Sequence, residues 1–386
     1  MKAPRTRLCL TLGLLSALVL LACAVPARAA HLSSYEPAPR GLILISRPTI
    51  VWPLFLGAGT VIDTISLTLN GESQPIAYDS TNQLCTSPCT TPLPAGDYLG
   101  RINLTFKDGS KYEKDWQFSV SPDAKSDFPS LDEDQQAAAA AVNAYRKQCG
   151  LPEVVLNPAL GAAADAHSRY MNQNKQYGHR EVTALAGFTG VSPEDRVLAW
   201  GYALGDYEDI SFATEAVSDV VKGLFDAPYH RVAFLQQGAP DFGYSAHGGR
   251  ATLEFGMTSV TGETVYPADG ERNVPVSWTN DEYPDPLRIH PGAARIVGYP
   301  ISLYCYGTVA AQITVETAAL TRGDGTDVPI YYNRDANDTD LHGGVIIFPQ
   351  SPLDYGTRYT VTVKGADVNG HDISRIWSFT TMDAVK

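Results

Sequence analysis

The sequence predicts a multidomain chain in which a central α/β segment lies between two β-sandwich modules, behind an N-terminal export segment. Three observations carry this expectation. Helical periodicity is confined to residues 135–257. The flanks alternate apolar and polar residues between Gly, Pro, Asn and Asp clusters, as half-buried strands and their turns do. The flanks also repeat each other: Tyr98 to Trp116 and Tyr359 to Trp377 are both separated by 18 positions. A chain of 386 residues suits two or three domains, and 33 Gly and 26 Pro suit turn-rich β-structure.

The opening residues read as an export signal. Lys2, Arg5 and Arg7 precede an almost wholly apolar run over 8–25, and Ala27-Arg28-Ala29 offers a cleavage site. Leu20-Leu21-Ala22-Cys23 is a rival processing site, in which Cys23 would be acylated and become a lipid anchor. Residues 1–30 are therefore set aside as signal, and the expected compartment is the periplasm, cell surface or extracellular space. Removing their four basic side chains leaves 25 basic against 42 acidic groups. Such an acidic body repels nucleic acid and anionic membrane surfaces, so neither is an expected partner apart from the N-terminal anchor.

The first β module is placed at 31–122. Thr64 to Leu69 alternates as a strand and Asn70-Gly71 follows as a hairpin signal. Ile102, Leu104 and Phe106 alternate before the turn Lys107-Asp108-Gly109. The second module, 262–382, carries the same landmarks: Pro75-Ile76-Ala77-Tyr78 has its counterpart in Pro329-Ile330-Tyr331-Tyr332, and Trp116-Gln117-Phe118 in Trp377-Ser378-Phe379. Four cysteines remain after export, and an even number in an oxidising compartment suggests the pairs Cys85–Cys89 and Cys149–Cys305, the alternative being buried thiols.

The central unit spans 131–258. Asp132-Glu133-Asp134 opens a first helix that ends at Cys149-Gly150, and Asn157-Pro158 caps and opens a second. A third is expected over 212–225, ended by Pro228, followed by strands at 241–246 and 251–257. Within this unit His179, Glu208 and His230 are the titratable groups spaced like a site. His167 falls on the apolar face of the second helix and reads as a core histidine, and His247 as a turn residue.

The order of motifs here is similar to that of the bacterial CAP domains, the superfamily of cysteine-rich secretory proteins, antigen 5 and pathogenesis-related proteins. The likeness runs from Val142-Asn143-Ala144-Tyr145-Arg146 through Asn157-Pro158-Ala159-Leu160 and Gly178-His179 to Arg196. It continues through Glu208-Asp209-Ile210, Pro228-Tyr229-His230-Arg231 and Asp241-Phe242-Gly243-Tyr244. The second β module resembles bacterial immunoglobulin-like domains that end in a Trp-x-Phe-Thr strand. The CAP resemblance implies an α/β/α sandwich with a cleft lined by His179, His230 and Glu208. In several relatives that cleft holds a divalent metal such as zinc, so these three are the implied ligands. Asp209 stands where the family has Asn, Leu224-Phe225 where it has a tryptophan before the second His, and Glu215 has no firm counterpart.

Neutral imidazole and carboxylate suit zinc and would leave a position for water. Arg196 and Arg231 are candidates for an anionic ligand, or for holding a carboxylate or a loop carbonyl. No Gly-x-Ser-x-Gly elbow and no His-x-x-x-His helix occurs. The expected function is accordingly that of an exported bacterial envelope protein that binds an extracellular protein, glycan or lipid without catalysis. The alternatives are a metal-assisted peptidase and an adhesive protein with a vestigial cleft.

Overall fold

The computed structural model describes residues 32–212, 215–258, 260–307, 313–367 and 369–384; the expected export segment, Cys23 included, lies outside them. The N-terminal module consists of β1 (Leu32–Ser34), β2 (Gly41–Ile45), β3 (Thr49–Leu56), β4 (Ile62–Leu69), β5 (Glu72–Gln74), β6 (Ala77–Asp79), β7 (Leu84–Pro88), β8 (Gly96–Phe106) and β9 (Lys111–Lys125). They form two sheets, β1-β3-β7-β6 and β2-β9-β8-β4-β5. Trp52, Leu67, Ile102, Leu104 and Phe118 fill the space between them. Asn70 and Gly71 both take positive φ (48° and 88°), the geometry a two-residue turn between β4 and β5 requires.

The expected bridges are not formed: Cys85, Cys89, Cys149 and Cys305 are free thiols. Cys85 lies within β7 and Cys89 just past its end. Four residues along extended backbone span about 13 Å, roughly twice what a disulfide tolerates. Burial pushes the Cys85 thiol up to about 12, leaving it unreactive. Cys149 sits 3.9 Å from the Val265 carbonyl, whereas Cys305 lies on the next strand inward, opposite Glu263.

The central unit runs α1 (Glu133–Gln148), β10 (Val155–Leu156), α2 (Pro158–Asn174), α3 (Pro193–Ala199), β11 (Gly205–Ser211), α4 (Val217–Asp226), α5 (Pro228–Leu235), β12 (Asp241–Ala246) and β13 (Ala251–Met257). Asp132 and Gln135 form a reciprocal capping box on α1, and Asn157 caps α2. The sheet order β10-β12-β13-β11 leaves β11 at an edge. Helices α1, α4 and α5 cover one face, against Phe242, Leu253 and Phe255. Helix α2 covers the other, so closely that a Cβ on Gly243 would stand 2.3 Å from the Leu160 backbone. The third expected helix is corrected: 205–211 is a strand, the helix begins at Val217, and Pro228 opens α5 rather than ending α4. A proline at the first helical position sacrifices no intrahelical hydrogen bond.

The C-terminal module comprises β14 (Gly262–Tyr266), β15 (Trp278–Thr279), β16 (Ile296–Val297), β17 (Ile301–Tyr306), β18 (Thr314–Arg322), β19 (Ile330–Arg334), β20 (Gly344–Pro349), β21 (Arg358–Ala366) and β22 (Asp372–Thr380). Its sheets β14-β17-β20-β19 and β18-β21-β22 follow the orders β1-β3-β7-β6 and β4-β8-β9 of the first module. The repeated side chains occupy the same register: Tyr98 opposes Phe118 and Gly100 opposes Trp116, while Tyr359 opposes Phe379 and Val361 opposes Trp377. The two Tyr–Phe pairs stack, with centroids 5.2 and 5.7 Å apart. One continuous apolar core joins this module to the central unit, from Val142 and Phe225 through Tyr266 to Ile346 and Trp377.

Candidate functional site

The site is built on the edge strand β11. Successive side chains of a strand point to opposite faces, and the consecutive carboxylates Glu208 and Asp209 use both. Glu208 pairs across the sheet with Glu254 on the α2 side, and Asp209 with Leu253 on the side of α1, α4 and α5. Each carboxylate holds one imidazole. His179, on the loop after α2, lies with Nδ1 2.8 Å from Glu208 Oε1. His230, on α5, lies with Nδ1 2.7 Å from Asp209 Oδ1. The two rings thus approach the strand from the two helical layers, and the charges of both act on Asp209. The His179 side chain is 45% exposed and that of His230 19%, whereas both carboxylates are buried.

Behind Glu208 lies a closed polar network. Arg196, fully buried on α3, donates Nη2 to Glu208 Oε2 and Nη1 to the His179 carbonyl at 2.9 Å. Of the two roles expected for Arg196, holding a carboxylate and a loop carbonyl is the one it fills. His167 is also fully buried, 2.9 Å from Glu181 Oε1 and 3.2 Å from the Gly178 carbonyl, a satisfied core histidine that steadies the loop carrying His179. Burial alone would raise the Glu208 carboxyl, but the His179 hydrogen bond and the charges of Arg196 and His167 hold it well below the usual carboxylate range.

Glu254 has no such support. It is fully buried, neither oxygen has a donor, and burial next to Glu208 raises its carboxyl well above the ordinary value. Asp206, on the same face of β11, is pushed up to about 6 by burial and by Glu208. On the other face, burial raises Asp209 and works against a charged His230 ring. The carboxylates of Asp209 and Glu282 outweigh that and raise His230 to about 9. His230 therefore carries its proton at neutral pH, shared with Asp209.

Each ring places Nδ1 on a carboxylate, the contact that also orients metal-bound histidines. Both Glu208 oxygens are already used, by His179 and Arg196. Among the described residues no three His, Cys, Asp or Glu side chains come together as a metal cage. In this arrangement Glu208 orients His179.

Arg231 likewise fills the second of the roles expected for it, holding carbonyls. It is fully buried and turned away from the cleft, with Nε donating to the Phe225 carbonyl at 2.7 Å and Nη1 to the Pro300 carbonyl at 2.9 Å. Its guanidinium lies 4.7–5.4 Å from the ring centroids of Phe225, Tyr266 and Tyr299, bolting the central unit to the C-terminal module. Glu215 is an exposed residue before α4, and Leu224 and Phe225 are core. His247 takes the β12–β13 turn, its Nε2 2.7 Å from Asp165.

Glu181, Glu254 and Glu282 are the participants that sequence reasoning missed. Glu254 left a local signal, because Thr252 and Glu254 alternate with Leu253 and Phe255 on a strand buried on both faces. Glu282 left none, since it reaches the site from another module.

Residues 139–260 match the model of the cysteine-rich secretory protein family, CAP, and residues 257–381 that of a bacterial Ig-like domain. No curated protein sequence matches the chain. Solved structures with partial likeness include an extracellular protein containing an SCP domain from Bacillus anthracis. It is 12% identical over 60% of this chain and 68% of that one, with a TM-score of 0.29. A cysteine-rich secretory protein from Staphylococcus aureus is 11% identical over 55% of this chain and 76% of its own, with a TM-score of 0.25. An outer surface protein from Borrelia burgdorferi is 17% identical over 34% of this chain and 98% of its own, with a TM-score of 0.28.

Proposed function

We propose that this chain, a CAP domain followed by a bacterial Ig-like domain, is an exported bacterial envelope or secreted protein that acts by binding a ligand at the cleft of His179 and His230. One observation carries the reading. The cleft presents two imidazoles whose Nδ1 atoms are fixed by carboxylates, while among the described residues no Ser, Thr or Cys side chain hydrogen-bonds either ring. A serine or cysteine mechanism needs that contact. With Nδ1 on a carboxylate, each ring offers Nε2: a protonated His230 donates there to a carboxylate, phosphate or hydroxyl, and a ring with a single proton accepts from a hydroxyl, groups found on extracellular proteins, wall glycans and lipids. The buried network beneath them fixes their direction before a ligand arrives, which lowers the entropic cost of binding.

The test is a titration of the His179 and His230 ring signals by NMR with three probes: peptidoglycan fragments, anionic phospholipid vesicles and a soluble acidic peptide. At least one should shift both rings saturably, and His179→Ala and His230→Ala should each weaken it by about tenfold or more, as losing a charge-assisted hydrogen bond does. Casein should survive prolonged incubation. Casein hydrolysis that Glu208→Gln abolishes would overturn the binding reading in favour of a peptidase.

A further inference from the structure

Helix α5 carries His230, yet its own sequence offers no side-chain cap: the preceding residue is Ala227 and Pro228 occupies the first position. Proline has no N–H, so the first amides needing an acceptor are those of Tyr229 and His230. Both donate to one oxygen, Glu282 Oε1, at 2.7 and 3.1 Å. Glu282 belongs to the Ig-like domain, where it follows β15, and is only 9% exposed. A carboxylate at this point both satisfies the orphan amides and faces the positive end of the helix.

The same domain grips the rest of that turn. The Tyr304 hydroxyl donates to the Pro228 carbonyl. The Tyr229 hydroxyl donates to Asp338 and accepts from Arg288 Nη1 at 2.8 Å. Arg231 donates to the Pro300 carbonyl. All four residues from Pro228 to Arg231 are therefore held in part by another domain, beside the bonds that Arg231 makes to Phe225, Asp226 and Ala227 within the central unit.

We propose that the Ig-like domain is a working part of the cleft, with Glu282 as the positioning residue that caps α5 and fixes the His230 ring against Asp209. The ionisable groups on or facing this turn include Tyr207 and Asp209 from β11, Tyr304 from β17, Glu282, Arg231 and the Tyr229–Asp338–Arg288 cluster. The inference rests on the binding reading only for the importance of His230. Its test reads the ring and the amides in the ligand-free protein, so a failed cap and a failed ligand site give different results.

In the full chain, Glu282→Gln keeps an oxygen for the two amides and removes the charge, whereas Glu282→Ala removes both. The alanine variant should speed hydrogen exchange of the Tyr229 and His230 amides by about tenfold to a hundredfold. Both variants should shift the His230 ring resonances, with those of His179 unmoved. If Glu282→Ala fails to fold, the glutamine variant still reads the ring. Ring signals unchanged in every folded variant would overturn the proposal. So would freed amides with an unmoved ring, which would reduce Glu282 to a structural cap.

Discussion

Glu208 and Asp209 are adjacent in sequence, equally buried, and electrostatically opposite. The difference lies in the cations each can reach. Glu208 has Arg196 and His179, and stays ionised. Asp209 is hydrogen-bonded to His230, with His179 acting only through its more distant charge, and its Oδ2 has no donor. The Asp209–His230 pair should therefore titrate as a unit. Because the folded His230 value is raised to about 9, the stability it contributes is fully present below about 6.5, the ordinary histidine value. It is lost as pH rises through about 9. Asp209→Asn should bring the His230 titration down to 6.5 or lower, as followed by the ring proton shifts, and remove that alkaline loss of stability. Glu254 makes the opposite case. A carboxyl raised in the folded state favours folding only below its unfolded value, about 4.3, and loses that advantage as pH climbs through the folded value. Glu254→Gln, of the same shape and without a proton to keep, should match the wild type in urea unfolding at pH 4 and exceed it at pH 8. A variant less stable than wild type at pH 8 would mean that Glu254 is ionised and paired.

The edge strand makes these contrasts possible, and it shows where sequence reasoning reached its limit. His179, Glu208 and His230 were legible as a group because their motifs follow a family order. That they belong to two helical layers was not, because 205–211 lies between helical stretches and gives no strong alternation: Tyr207 and Asp209 face one side, Glu208 and Ile210 the other. Ser192-Pro193-Glu194-Asp195 did hold a readable signal for α3, a serine cap with proline at the first position and a reciprocal Asp195 contact. The duplicated hairpins were readable for a different reason. Their Tyr, Trp and Phe landmarks sit on a single two-strand unit, whose register is fixed locally. Gly243 marks a close approach between the backbones of α2 and β12. With α2 backbone atoms 2.3–2.6 Å from where a Cβ would stand, Gly243→Ala must push α2 off β12. Overpacking of this kind costs about 1–3 kcal/mol, measurable as a lower urea midpoint at unchanged slope. Because α2 leads into the loop carrying His179, the His179 ring signals should shift as well, while those of His230, on the opposite face, should not.

Across the whole molecule the cores do not follow three separate domains. The N-terminal module has a core of its own. It meets the central unit through a groove of about 360 Å³ lined by Arg47, Pro48, Trp200 and Tyr202, and through an exposed Arg40–Glu194 pair at 3.7 Å. The central and C-terminal units instead share one core, with Arg231 among three aromatic rings at their join. Cooperative units are expected to follow buried contact rather than sequence modules. Calorimetry should therefore show two transitions, one for residues 32–125 and one for 131–384. Unfolding enthalpy is close to proportional to chain length, so their areas should stand at about one to three. Arg231→Ala removes the Phe225, Asp226 and Pro300 hydrogen bonds together. It should lower the larger transition by about 10 °C and leave the smaller one in place. Three resolved transitions, or a shift confined to the smaller one, would mean that the CAP and Ig-like domains fold independently, and that the hold of the Ig-like domain on α5 is too weak to aim His230.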